Sequence, residues 1–219
     1  MELHITKSGE NTIYIPSMDE TYHSRNGAIS ESNHVFIEQG INRSQGNIHV
    51  LEIGFGTGLN ALLASQEAER QNRKIAYHTL EPFPVPNDIL IELNYGHLLK
   101  DDDLFKKIHD TKWESNEPIT SNFTIHKTTQ KLEYINLHKS QYDVIFFDAF
   151  APKKQPELWS KEIFIKLFKS LKNKGILTTY SAAGQLKRDL KSVGFYLEHP
   201  PGANGKREMT VAIKELSTL

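Results

Sequence analysis

Cysteine is absent from the 219-residue sequence, which excludes disulfide frameworks, thiolate metal sites and cysteine nucleophiles together. No apolar run approaches the roughly 18 residues that a membrane-spanning helix needs. The first residues, MELHITKSGE, also lack the basic-then-apolar order of a secretory signal. A cytoplasmic protein with no membrane partner is the expectation. Internal repeats, low-complexity tracts and linkers rich in Pro, Gly or Ser are missing too, so one globular unit is the default for this length. The histidines, His23, His34 and His78 among them, stand at no ligand spacing with acids on one helix face, and no metal site is expected.

A large excess of charge is lacking as well. The net charge is −1, which argues against a broad non-specific nucleic-acid surface. Its distribution is uneven: residues 150–219 hold 13 basic and 6 acidic side chains, residues 1–149 hold 13 and 21. Lys166, Lys169, Lys172 and Lys174 read as solvating an exposed helix face, while the asymmetry as a whole leaves room for an anionic partner.

What is present is an alternation. From about residue 48, IHVLEIGF, IAYHTLE, FTIHKT, YDVIFFD and GILTTYS read as strands. Helical patterns stand between them at 59–71, 86–97, from Gln130, and at 156–171. A helix at 184–192 and the runs FYLEHP and REMTVAIK close the chain, the last two joined only by the turn-forming PGANGK. Near-continuous apolar strands alternating with helices predict a Rossmann-like α/β fold. Its sheet is seven-stranded and mostly parallel, with helices on both faces and an antiparallel C-terminal strand. Residues 1–46 do not fit the alternation and are expected to form an extension capping the cleft of a 47–219 domain.

Segment 51–60, LEIGFGTGLN, ends a strand in a glycine-rich turn and opens a helix. Gly54, Gly56 and Gly58 leave room for a ligand against the backbone, a nucleotide-type cradle. A dinucleotide fingerprint needs its third glycine where Leu59 stands, so the spacing is GxGxG. Glu52, two residues before the first glycine, suits a cofactor with a cationic amino group better than a pyrophosphate. Glu81, at the end of the next strand, either accepts ribose hydroxyls or caps the turn before Pro82. Asp148 ends the fourth strand, where open α/β sheets bind ligands, and is placed to hold an amine or take its proton. Phe150 is a candidate for stacking on a base or for core packing, and Pro152 stiffens the loop that carries Lys153.

These residues, with DETYHSRNGAISESNHVF, LEPFPV, DAFAPKKQPELW, TTYSAAGQLKRDL and GKREM, resemble the tRNA 5-methylaminomethyl-2-thiouridine methyltransferases, including the methyltransferase half of the bifunctional MnmC proteins. The resemblance implies a class I fold and methyl transfer from S-adenosylmethionine to the exocyclic amine of 5-aminomethyl(-2-thio)uridine at the tRNA wobble position. Glu52, Gly54, Gly56 and Gly58 would line the methionine and ribose part of the cofactor, with Glu81 on the ribose. Asn60, Gln130 and Asp148 would also be cofactor contacts, and Tyr22, Ser24 and Glu31 match the segment that closes over it. Asp148 would position or deprotonate the amine, aided by Phe150 and Lys153. Lys206 and Arg207 match a basic end suited to tRNA phosphate, with hairpin solubility the equal alternative. Where relatives carry Gly-Asp after the third strand, this chain reads HKTTQKLEYI, and Gln130 or Thr129 is expected to substitute toward adenine. The FAD-dependent half is expected to be absent, so an upstream enzyme must supply the amine; the oligomeric state is not legible. An aminopropyltransferase of the spermidine synthase type and a non-catalytic nucleotide- or RNA-binding module remain the alternatives.

Overall fold

The structure, a computed structural model, describes residues 1–215; residues 216–219 of the expected 47–219 domain lie outside the described residues. The chain opens with a small antiparallel sheet of β1 (Glu2–Ile5), β2 (Asn11–Ile15) and β3 (Glu20–Thr21). Helix α1 (Ala28–Ser32) follows and continues into a wider π-helical turn, Asn33–Glu38. Val35, Phe36 and Ile41 are buried in the main core, with the Phe36 ring 5.0 Å from that of Phe146. Ile13 of β2 and Ala28 of α1 join that core as well, so the 1–46 segment packs with the larger sheet along much of its length.

That sheet contains β4 (Ile48–Ile53), β5 (Ile75–Leu80), β6 (Asn116–Pro118), β7 (Phe123–Thr128), β8 (Tyr142–Phe147), β9 (Leu171–Thr179), β10 (Phe195–Glu198) and β11 (Thr210–Lys214). Its order is β10-β11-β9-β8-β4-β5-β7-β6. Strands β9, β8, β4, β5 and β7 pair in parallel, and β11 runs antiparallel to both its neighbours. All seven expected strands are present. An eighth, β6, adds a three-residue antiparallel edge that is too short and polar to show a period. The chain proceeds outward from β4 through β5 to β7, then returns to the other side of β4 with β8. That reversal leaves a crevice at the carboxyl ends of β4 and β8.

Alternation along the central strands explains their continuous apolarity. Val144 and Phe146 enter one core while Ile145 and Phe147 enter the other, because successive side chains point to opposite faces and both faces are covered. Helix α2 (Leu59–Arg70) packs on the first face, burying Leu59, Leu62 and Leu63.

The helix expected over 86–97 is broken. It consists of two single turns, α3 (Asn87–Leu90) and α4 (Tyr95–Leu98), because Asn94 between them is committed to the N-terminal hairpin. Its Oδ1 accepts the Asn11 N–H (2.8 Å) and its Nδ2 donates to the Gly9 carbonyl (2.9 Å). Helix α5 (Asp102–Asp110), a segment to which the sequence pattern assigns no element, buries Phe105 and Ile108.

No helix forms from Gln130; residues 132–134 make a turn. Lys166 is the cause. Rather than solvating a helix face, its ammonium donates to the carbonyls of Leu132, Glu133 and Ile135 at 2.8–2.9 Å, holding them out of helical pairing.

The expected 156–171 helix is split as well, into a 3-10 turn at Pro156–Trp159 and α6 (Lys161–Ser170). Ser160 between them is extended, and its hydroxyl caps the Ile163 N–H, a role that forbids helical dihedrals at that residue. Helix α6 buries Ile163, Phe164 and Leu167 on the second face, each worth about 1.5–3 kcal/mol on burial. Helix α7 (Gly184–Val193) adds Leu186 and Leu190 and ends at Gly194.

Candidate active site

The carboxyl ends of β4, β5 and β8 meet in one cleft of about 410 Å³. At the first, Gly54 has φ +93° and donates its N–H to the Leu80 carbonyl at 2.9 Å. A Cβ there would stand 2.7 Å from the Asp148 carbonyl oxygen, so the β4 and β8 tips approach at a distance that only glycine allows. At Gly56 (φ +51°) a Cβ would stand 2.9 Å from the Tyr22 ring, which therefore lies directly on the loop.

Glu81 completes the loop. Its Oε2 accepts the Gly56 N–H and its Oε1 the Phe83 N–H, both at 3.0 Å. Burial pushes this carboxyl above the ordinary glutamate value, against the downward pull of the two amides. Each oxygen keeps a lone pair for a ligand hydroxyl. The glycine loop and the acid of the next strand thus form one hydrogen-bonded unit.

Asp148 closes the β8 side. Its N–H donates to the Ile53 carbonyl (3.0 Å) and its Oδ2 accepts from Asn60 Nδ2 (2.8 Å). Burial pushes its carboxyl up to about 7; Asn60 opposes that shift, the charge of Glu31 adds to it, and the charge of Lys206 offsets it. A carboxyl half ionised near neutrality is matched to proton exchange with an amine. Three polar side chains of DAFAPKKQPELW pin the loop beyond it. Gln155 Oε1 accepts the Phe150 N–H (2.9 Å), Trp159 Nε1 donates to the Phe150 carbonyl (2.8 Å), and Lys154 donates to the Met18 carbonyl of the N-terminal hairpin. The Phe150 ring meets that of Tyr22 edge-on at 5.1 Å.

The opposite wall comes from residues 22–32. His23 Nε2 lies 2.6 Å from Thr57 Oγ1 in the glycine loop, and burial lowers its pKa to about 4, so the imidazole is neutral at pH 7. Glu31 forms an ion pair with Lys206, whose ammonium also lies 5.7 Å from the Tyr180 ring centroid.

Of the residues expected at the site, Tyr22, Ser24, Glu31, Gly54, Gly56, Glu81, Asp148, Phe150 and Lys206 line the cleft. Glu52, Gly58, Asn60, Gln130, Lys153 and Arg207 do not. Glu52 shares the α2-covered face of β4 with Val50, is wholly buried beneath the loop, and accepts from Thr79 Oγ1 at 2.6 Å. Burial raises its pKa to about 8, which leaves it mostly protonated at pH 7. Gly58 opens α2 and faces His109 instead. Asn60 stands one layer behind, orienting Asp148. Gln130, Lys153 and Arg207 are exposed outside the lining, and the Thr129 N–H and hydroxyl are taken by Glu114.

His23, inside the Tyr22–Ser24 block matched to the closing segment, also lines the cleft; missed by sequence reasoning are Tyr180 and the wall formed by Leu132 and Glu133. The Leu132–Glu133 pair stands just past the third expected strand, beyond the Thr129 and Gln130 expected to face adenine. Tyr180 lies in the TTYSAAGQLKRDL block, where nothing in the local pattern singles it out as a lining residue. Among the described residues no helix is long and apolar enough to cross a membrane.

Residues 101–215 match a family described as S-adenosyl-L-methionine-dependent methyltransferase. Over 227 residues the chain is 30% identical to the tRNA 5-methylaminomethyl-2-thiouridine biosynthesis bifunctional protein MnmC of Cupriavidus metallidurans, an alignment covering 94% of this chain and 33% of that one. The protein of the same name from Pseudomonas fluorescens is 31% identical over 212 residues, covering 87% and 31%. The chain therefore spans about a third of the length of these relatives. The crystal structure of MNMC2 from Aquifex aeolicus superposes with a TM-score of 0.73 at 22% identity, covering 96% of this chain and 69% of that one, and shares the fold.

Proposed function

The chain belongs to the S-adenosyl-L-methionine-dependent methyltransferases, and from that premise we propose that it methylates the exocyclic amine of 5-aminomethyl(-2-thio)uridine at the wobble position of tRNA. The tRNA substrate follows the names of the MnmC relatives. The observation that carries the amine chemistry is Asp148, a carboxyl with pKa pushed up to about 7 that opens on the same cleft as the glycine loop and Glu81. Family membership decides against the spermidine-synthase and non-catalytic alternatives.

The residues fit the cofactor. A cleft of about 410 Å³ has nucleoside-sized room, the glycine backbone is open where a Cβ would intrude, and Glu81 keeps acceptor capacity for two ribose hydroxyls. Gly54 and Gly56 would line the methionine part, Tyr22 and Ser24 would cover it, and Leu132 with Glu133 would face the adenine end. Residues 1–46 act as the cap, latched through His23 to Thr57 and through Met18 to Lys154. When bound, S-adenosylmethionine supplies a methyl group on a sulfonium sulfur, which keeps the carbon–sulfur electron pair as the methyl leaves.

The chain's own residues position and deprotonate. An aminomethyl group is largely protonated at neutral pH and has no lone pair to attack with; Asp148 takes that proton. Asn60 holds the Asp148 carboxylate in one orientation, and the Gln155–Trp159 clamp fixes Phe150 beside the base. The reading requires an upstream enzyme that leaves a free aminomethyl group on the uridine. Incubation of the protein with cofactor and tRNA bearing that nucleoside, followed by nucleoside mass analysis, should show gain of one methyl group on the amine. Cofactor binding without any transfer to this tRNA would overturn it.

A further inference from the structure

A cation already occupies part of the cleft. The Lys206 ammonium is paired with the Glu31 carboxylate and stands over the Tyr180 ring, 5.7 Å from its centroid. The Glu31 side chain is 13% exposed, whereas that of Lys206 is 41% exposed. The carboxylate is the fixed member and the ammonium the movable one. Glu31 is fixed because α1 is tied to the C-terminal loop: Asn204 accepts from Ser30 Oγ (2.9 Å) and donates to the Gly27 carbonyl (3.1 Å). Tyr180 is anchored by its hydroxyl, which donates to the Ala149 carbonyl at 2.8 Å. A carboxylate beside an aromatic face is a seat for a primary ammonium, the group that ends a lysine side chain and equally the group on an aminomethyl nucleoside.

We propose that Glu31 and the Tyr180 face form the seat for the substrate's ammonium group, and that Lys206 holds this seat until the substrate displaces it. The inference rests on the reading of amine methylation. It assigns Glu31, matched by resemblance to the segment over the cofactor, to the substrate. Once the substrate ammonium is seated, one N–H bond breaks, the proton forms an O–H bond on the Asp148 carboxylate, and the electron pair stays on nitrogen as the attacking lone pair. Removal of the Lys206 charge assists, since that charge opposes proton uptake by Asp148 while the Glu31 charge favours it. The displaced lysine, on its flexible stem, is free to meet a phosphate of the incoming RNA.

The test uses the full chain with cofactor present and free 5-aminomethyluridine as a competitive inhibitor of tRNA methylation, which removes phosphate contacts from the measurement. Lys206→Met should tighten inhibition by about tenfold and Glu31→Gln should weaken it by about tenfold or more. Cofactor Kd should be unchanged in both, and uridine should inhibit neither. Opposite signs are diagnostic, because a purely structural ion pair would make both variants lose alike. Equal losses, or a Glu31→Gln variant that loses cofactor affinity instead, would overturn the inference while leaving amine methylation standing. A wild type that binds cofactor but transfers no methyl to this tRNA sinks both.

Discussion

The tips of β4 and β8 each carry a carboxyl whose proton affinity burial has raised, to about 8 at Glu52 and about 7 at Asp148. By proton affinity alone the two are near equals. What separates them is direction. Glu52 faces the α2-covered side of its strand, in contact with Thr79, whereas Asp148 lies just past its strand end and opens on the cleft. A shifted carboxyl is thus a functional group only where a ligand can reach it; sealed under a helix, it is a cost to the fold.

The sharpest way to break this comparison is Asp148→Asn. The Asn60 side chain can still donate to the new amide oxygen, so geometry is retained while the proton acceptor is lost. Turnover of aminomethyluridine tRNA should fall by about 10² to 10⁴, with cofactor Kd nearly unchanged by calorimetry. The wild-type profile of log kcat/KM against pH should rise as Asp148 ionises through about 7, and the variant should lack that limb. A wild-type profile with no inflection in this range would place the proton acceptor elsewhere.

A smaller effect is expected at Glu81, whose role is in affinity. Glu81→Gln can still accept the Gly56 N–H but presents an amide N–H₂ toward either the Phe83 N–H or the cofactor hydroxyls. Cofactor Kd should rise by about 10- to 100-fold, with kcat at saturating cofactor changed only a few-fold. Loss of kcat without loss of affinity would mean that Glu81 acts on the chemistry instead.

The contrast between the two acids also marks how far the sequence can be read. Apolar-rich runs on β4, β5 and β8 make the strand ends visible, and with them the glycine turn, Glu81 and Asp148. The direction of Glu52 is legible in principle, since period-two alternation puts it with Val50 on one face of β4; its closeness to the glycines points the other way. Other features depend on contacts remote in sequence. Gln130 misses the cleft because Lys166, more than thirty residues later, holds the neighbouring carbonyls. The break at Asn94 answers to Gly9 and Asn11. The Glu31 carboxylate is paired with Lys206, 175 residues away. No local pattern carries such pairings.

The smallest effect on turnover belongs to Glu52→Gln, and its sign follows from the buried proton. The carboxyl has an ordinary value of 4.5 and a folded value of about 8, so between these pH values the folded state binds the proton more tightly than the unfolded chain. Stability therefore falls as pH rises across this window and levels off above it. Glutamine keeps an oxygen for the Thr79 hydroxyl and has no proton to lose. The variant's Tm should accordingly decline less than that of the wild type between about pH 5 and 8, overtaking it toward the alkaline end, while kcat at neutral pH stays within about twofold. A turnover loss comparable to that of Asp148→Asn would erase the distinction between the two strand tips. An unchanged slope of Tm with pH would show instead that the buried acid does not titrate in this range, and that the polar side chains of Thr79, Asn60 and Tyr77 hold its charge against burial.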